Sequence, residues 1–146
     1  MEIKRDRYLK RLVSFMWDGQ VKVITGIRRC GKSYLLRNLF KSYLFSQGIA
    51  EDHILSFELD LTRGIRYRDP LALAAHVREI VAHSTDQYYL FVDEIQMSDE
   101  VPNPYNPDGK KITFYDALND LNSLPNLDIY VTGSNSKMLS SDILTE

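Results

Sequence analysis

Residues 22–36, KVITGIRRCGKSYLL, contain the clearest indication of the fold. This stretch opens inside the short β-branched run VKVI, residues 21–24, which predicts a β-strand. Residues 26–33 then fit the pattern G-x-x-x-x-G-K-[ST], and apolar residues at helical spacing follow. A strand, a glycine-containing loop and a helix in this order are the context in which that pattern binds phosphate. We therefore predict a P-loop, with ATP as its ligand.

Each position of the predicted loop has a physical task. Gly26 and Gly31 let the backbone curl so that successive N–H groups face the phosphates. The positive end of the following helix adds to this anion site. Lys32 is expected to reach the β- and γ-phosphates as a catalytic residue, and the Ser33 hydroxyl to ligate magnesium. The predicted nucleotide-binding residues are Gly26, Ile27, Arg28, Arg29, Cys30, Gly31, Lys32, Ser33 and Tyr34.

An acidic pair follows another predicted strand. Residues 88–92, YYLFV, form an apolar run typical of a strand buried on both faces, and Asp93 and Glu94 come directly after it. We expect Asp93 to hold magnesium, mostly through water. Glu94 is expected to act as general base on a water molecule, which favours hydrolysis over transfer to another substrate. The alternative interpretation is a turn with solvated acids.

A polar segment closes the last predicted strand, residues 127–131 (LDIYV). If this strand lies between the P-loop strand and the acidic strand, a side chain at its tip can touch the γ-phosphate or the attacking water. We predict Asn135 as that catalytic residue, with Ser134 as the alternative. A turn or a helix cap explains these residues equally well.

The remaining chain alternates predicted strands and helices. The helices are expected at residues 3–17, 32–47 and 69–83, with a short one after Thr113, and a further strand at residues 53–59. The proline-containing residues 98–111 are predicted to form an irregular loop. This alternation predicts an α/β fold, a parallel sheet with right-handed crossovers and helices on both faces. Such sheets bind ligands at the carboxyl ends of their strands.

Composition narrows the class of protein. The chain has 146 residues, 44% hydrophobic and 26% charged, with a formal net charge of -2, all ordinary for one globular domain. It shows neither a secretory signal pattern nor an apolar run of about 20 residues, so we expect a cytoplasmic protein without a membrane partner. The single cysteine excludes an internal disulfide. The basic residues 4–11 are either a solvated helix face or a contact for nucleic acid or a protein partner.

Three motifs together carry a resemblance: residues 26–33, the string DEIQ at 93–96 and the string YVTGSNSKML at 130–139. With them the chain resembles, over nearly its whole length, the prokaryotic AAA-domain (AAA+ superfamily) ATPases that continue into a C-terminal domain of unknown function. The resemblance implies a P-loop NTPase core with sheet order 5-1-4-3-2. It also implies that Lys32 and Ser33 belong to Walker A, Asp93 and Glu94 to Walker B, and that Asn135 or its neighbour is sensor one.

The C-terminal end departs from this family pattern. After the sensor segment the sequence shows no recognisable fifth strand, helical lid or arginine finger. We therefore expect residues 1–146 to be a truncated core with the P-loop strand at the sheet edge, which favours dimerisation and weak turnover. AAA relatives often form rings, so a homo-oligomer is expected, and the partner is an unknown protein or nucleic acid.

Other interpretations stay open at this point. The chain is an ATP-hydrolysing enzyme, a nucleotide-binding switch with negligible hydrolysis, or a small-molecule kinase whose lid arginines come from residues 63–68. Separately, Tyr8 or Trp17 either stacks on adenine or packs in the core.

Overall fold

A single parallel sheet organises the chain. The structure, a computed structural model, describes residues 2–25, 33–133 and 142–144. The strand order is β2-β3-β4-β1-β5, and each neighbouring pair is parallel. The strands are β1 (Lys22–Thr25), β2 (Ile54–Glu58), β3 (Tyr88–Asp93), β4 (Leu127–Gly133) and β5 (Asp142–Leu144).

The helices alternate with these strands as predicted. The second of them, α2, begins π-helical at Leu35–Phe40 and continues as an α-helix over Lys41–Ser46. Short 3-10 turns lie at Glu51–His53, Thr62–Arg68 and Ile95–Met97. The other helices are α1 (Glu2–Ser14), α3 (Pro70–Val81) and α4 (Phe114–Leu121).

The strand order confirms the sheet topology that the resemblance implied, and it corrects one expectation. The order is the expected 5-1-4-3-2, with β4 between β1 and β3. The expectation of a missing fifth strand is wrong, because β5 pairs with β1. Three residues are too short to show a strand period, so only the pairing reveals β5. The P-loop strand β1 is therefore flanked on both sides, by β4 and β5, and offers no free edge for the predicted dimerisation.

The core lies on both faces of the sheet and defines three layers. Successive residues of β3 and β4 alternate between two clusters: Leu90 and Ile129 face one helix layer, whereas Phe91 and Tyr130 face the other. The first cluster contains the apolar faces of α3 and α4, and the second contains those of α1 and α2. Strands β3 and β4 are almost wholly buried, as their apolar sequences predict.

Local signals set where the helices begin and end. The Asp69 carboxylate accepts hydrogen bonds from the first backbone amides of α3, and Thr113 forms a capping box with Asp116 at the start of α4. Gly48 has a φ of 86°, the left-handed conformation expected of a residue that terminates a helix. The predicted first helix was too long: it ends at Ser14, and Trp17 has a φ of 58°.

Two further predictions concern loops and the membrane. The proline-containing segment is irregular, as predicted, and Val101 and Ile112 close it by exchanging backbone hydrogen bonds of 3.0 and 2.8 Å. Among residues 2–25, 33–133 and 142–144, no helix is long and apolar enough to cross a bilayer.

Candidate functional site

The carboxyl ends of the strands gather the predicted site residues at one edge of the sheet. Glu58 at the end of β2 pairs in register with Asp93 at the end of β3, and Thr25 of β1 pairs with Gly133 of β4. The predicted loop residues 26–32 and Asn135, with its alternative Ser134, lie outside the described residues. Their predicted roles stay predictions.

The two predicted metal ligands are in direct contact. The Ser33 hydroxyl donates a hydrogen bond of 2.8 Å to Oδ2 of Asp93, although the two residues are 60 positions apart in the chain. Asp93 is only 5% exposed. A hydroxyl and a carboxylate are the hard oxygen donors that magnesium prefers, so this pair fits the ion.

Ser33 and Asp93 are two protein ligands, a number that suits magnesium. The described part of the chain contains no group of three or more His, Cys, Asp or Glu residues that could hold a metal ion. Magnesium is usually held by one or two protein ligands together with water and substrate phosphates, rather than by an all-protein cage. Ser33 and Asp93 supply what such an ion needs from the protein.

Thr132 holds the acidic pair from the neighbouring strand. Its hydroxyl donates to Oδ1 of Asp93 and accepts a 2.9 Å hydrogen bond from the backbone N–H of Glu94, and the residue is fully buried. The sequence does not single out this residue, and the polar group predicted for the tip of β4 was Asn135 or Ser134. Only the Val92–Val131 register pair puts the next residues of the two strands, Asp93 and Thr132, side by side.

Glu94 has an unusual backbone and a fixed side chain. Its φ and ψ of 61° and 56° are left-handed, a conformation that costs a residue with a Cβ roughly 1–2 kcal/mol. The residue is 2% exposed, and its Oε1 accepts a hydrogen bond from the Gln96 side chain. Backbone strain that neighbouring contacts maintain is often found at functional sites. The geometry therefore favours a functional carboxylate over a solvated turn.

An ion-pair chain that the sequence analysis did not identify borders this site. Arg37 of α2 pairs with Glu58, and its Nε lies 3.7 Å from Oδ2 of Asp93. Arg63 pairs with the other oxygen of Glu58. Arg37 lies four residues after Ser33, a spacing that places both on one helix face, which was the available signal. These side chains line an open cleft formed by Ser33, Arg37, Glu58, Asp60, Leu61, Arg63, Asp93 and Glu94.

The other arginines of the predicted kinase lid have contacts within the fold. Arg68 donates a 2.6 Å hydrogen bond to the carbonyl of Leu59, and the Arg66 guanidinium lies 5.8 Å from the Tyr67 ring centroid. The Arg68–Leu59 hydrogen bond and the Arg63–Glu58 pair hold the segment against the end of β2, whereas the Arg66–Tyr67 contact lies within the segment.

A second buried charge cluster lies at the opposite, amino end of the sheet. Lys22 pairs with Asp128 and, at 3.0 Å, with Asp18, and its Nζ lies 4.9 Å from the Tyr130 ring centroid. The Tyr130 hydroxyl donates a 2.7 Å hydrogen bond to Asp128. Burial, followed by the neighbouring carboxylate, raises the pKa of Tyr130 far above its usual value. These contacts are remote from the carboxyl edge and stabilise the fold.

Trp17 belongs to this amino-end cluster. Its indole N–H donates a 3.1 Å hydrogen bond to the Tyr89 hydroxyl, and the two rings meet edge to face. Burial likewise raises the pKa of Tyr89. Tyr8 packs against the same side of the core as Trp17. Both observations favour core packing over adenine stacking for these two residues.

Comparison with known proteins agrees with the fold. Residues 18–146 match the family described as AAA domain, so the chain belongs to that family of P-loop NTPase-like nucleotide-binding domains. A relative from Haemophilus influenzae, described as an uncharacterized protein, is 33% identical over 143 residues. The match covers 98% of this chain and 32% of that relative, so the chain spans about a third of the relative's length.

Proposed function

We propose that the protein binds ATP with magnesium and hydrolyses it to ADP and phosphate. The observation that carries the proposal is the contact between Ser33 and Asp93, with the strained, buried Glu94 directly beside it. A hydroxyl that follows a P-loop pattern, a carboxylate from the neighbouring layer and an adjacent glutamate are the groups that magnesium-dependent hydrolysis requires. The family match supports nucleotide binding, and hydrolysis is our inference from these residues.

Each side chain has a distinct task in this proposal. Ser33 and Asp93 would hold the ion, which would neutralise the negative charge that develops on the phosphates. Glu94 accepts a proton from the attacking water, and Gln96 fixes the orientation of its carboxylate. Thr132 fixes the position of the Asp93 carboxylate relative to the Glu94 backbone, because its hydroxyl is hydrogen-bonded to both. Lys32 binds the phosphates, and Asn135 is proposed to contact the γ-phosphate or the water.

Binding and hydrolysis are tested separately. Isothermal titration of ATP with magnesium should give micromolar binding to the parent chain and none to Lys32→Ala. Glu94→Gln should keep the binding and lose at least about 100-fold in turnover, the usual scale of a general base. Equal ATP binding by the parent and by Lys32→Ala would contradict the proposed binding of the phosphates by Lys32. Binding with equal, negligible turnover in the parent and Glu94→Gln would identify a nucleotide-dependent switch instead.

The biological setting is also a proposal. We infer that the hydrolysis cycle acts in the cytoplasm on an unknown protein or nucleic-acid partner, and that homo-oligomers form. The exposed basic residues Arg7, Lys10 and Arg11 of α1 are compatible with either a solvated face or such a partner. Size-exclusion chromatography with light scattering, with and without ATP, measures the molar mass in solution and so tests whether homo-oligomers form.

A further inference from the structure

The cleft beside the proposed metal site has a simple charge balance. Its lining contains two arginines, Arg37 and Arg63, and the four carboxylates of Glu58, Asp60, Asp93 and Glu94, a net charge of -2. One divalent cation compensates that charge. The arginines are therefore not an anion site of their own but counter-ions among acids.

Arg37 lies between two of these carboxylates. It contacts two carboxylates on neighbouring strands, Glu58 through a guanidinium nitrogen and Oδ2 of Asp93 through Nε at 3.7 Å. The same Oδ2 accepts the Ser33 hydrogen bond. A cation that binds Ser33 and Asp93 must therefore share this carboxylate with the positive charge of Arg37.

We propose that Arg37 is a positioning residue that bridges Glu58 and Asp93 in the metal-free protein, and that metal binding displaces it from Asp93 and leaves it paired with Glu58 alone. The inference rests on the proposed function. Glu58 is suited to retain Arg37, because its side chain is only 10% exposed and already contacts the guanidinium. Arg63 contacts the other oxygen of Glu58, so it fixes the orientation of the acceptor.

The proposal predicts effects of opposite sign for the two partners of one ion pair. Arg37→Met removes the competitor and should tighten Mn²⁺ binding in the absence of nucleotide. Glu58→Gln removes the other partner of Arg37, so that Arg37 pairs with Asp93 alone. This variant should therefore bind Mn²⁺ more weakly. Each change should be roughly three- to fivefold, the scale of a partly exposed ion pair. A merely structural Arg37–Glu58 pair predicts weaker binding in both variants.

The test is a Mn²⁺ titration of the nucleotide-free protein, with the free ion followed by electron paramagnetic resonance. Arg37→Lys keeps the charge and should bind like the parent. Arg78→Met removes an equal charge from a pair with Asp120 on another helix and should change nothing. Asp60→Asn removes a charge from the same cleft, and within the described chain Asp60 forms no ion pair, so its effect should be clearly smaller than that of Glu58→Gln.

The outcomes separate this inference from the proposed function. Tighter binding by Arg37→Met together with weaker binding by Glu58→Gln supports the inference. If Asp93→Asn loses Mn²⁺ but Arg37→Met binds no more tightly than the parent, the inference is overturned while the metal site stands. If Asp93→Asn binds Mn²⁺ as the parent does, the metal site itself is wrong, and the inference falls with it.

Discussion

Replacing Thr132 by valine should destabilise the protein without changing the volume of the core. The hydroxyl donates to the carboxylate of Asp93 and accepts from the backbone N–H of Glu94 at 2.9 Å. Valine has nearly the same shape but makes neither hydrogen bond. Because all three residues are buried, water cannot replace the lost partners.

The magnitude follows from the two bonds. A hydrogen bond to a charged group contributes about 1.5–3 kcal/mol, and one between neutral groups about 0.5–1.5 kcal/mol. The free energy of unfolding should therefore fall by about 2–4 kcal/mol, a large share of the ~5–15 kcal/mol typical of a domain. With a urea m-value of about 2 kcal/mol/M, the midpoint should drop by roughly 1–2 M.

Equilibrium unfolding in urea, followed by circular dichroism, measures this change. Thr132→Ser keeps the hydroxyl and loses only a methyl group, so it should stay within about 1.5 kcal/mol of the parent. Thr132→Val should also reduce ATP turnover, because the Glu94 backbone loses the bond that maintains its left-handed conformation. A Thr132→Val midpoint equal to that of the parent would refute the role of this hydroxyl.

Three other predictions concern the fold. Lys22→Met leaves Asp128 buried without its cation and should lower the free energy of unfolding by about 3–5 kcal/mol in urea titrations, with part regained in the double variant with Asp128→Asn. The raised pKa of Tyr130 means that the native state keeps a phenolic proton which the unfolded chain loses near pH ~10. Its stabilising contribution is therefore complete below that pH and is lost as the pH rises further, so Tyr130→Phe should show a shallower alkaline decline in urea midpoint than the parent. Gly64→Ala would place a Cβ 2.0 Å from the carbonyl oxygen of Glu58, so it should cost about 1–3 kcal/mol by the same assay; an unchanged midpoint would contradict this close approach.

The sequence predicts the framework well because the fold depends on signals that are local along the chain. The alternation of strands and helices, the caps at Asp69 and Thr113, and the placement of Asp93 at a strand end all come from short patterns. The contact between Ser33 and Asp93 follows once two parallel strands are assigned to one sheet edge.

The residues that the sequence analysis missed act across strands. Thr132 is one polar residue among several at the end of β4, and only the register with β3 sets it against the acidic pair. The spacing of Arg37 from Ser33 places it near the site, but its pairing with Glu58 and Asp93 is seen only when α2 is packed beside β2 and β3. Strand β5 is too short to show a period and is recognisable only through its pairing with β1. In each case the missing information is a long-range contact.

Strand β4 shows why the two ends of the sheet differ in function although both contain buried charges. At the amino end its Asp128 meets Lys22, Tyr130 and the Trp17 backbone N–H, so the carboxylate is neutralised and hydrogen-bonded within the core. At the carboxyl end its Thr132 is neutral, and it holds a carboxylate whose counter-ion, Arg37, is shared with a second acid. The first arrangement pairs the buried carboxylate within the core and leaves it nothing for a ligand to supply. The second keeps an excess of negative charge beside an open cleft, which is the condition under which a divalent cation gains most by binding.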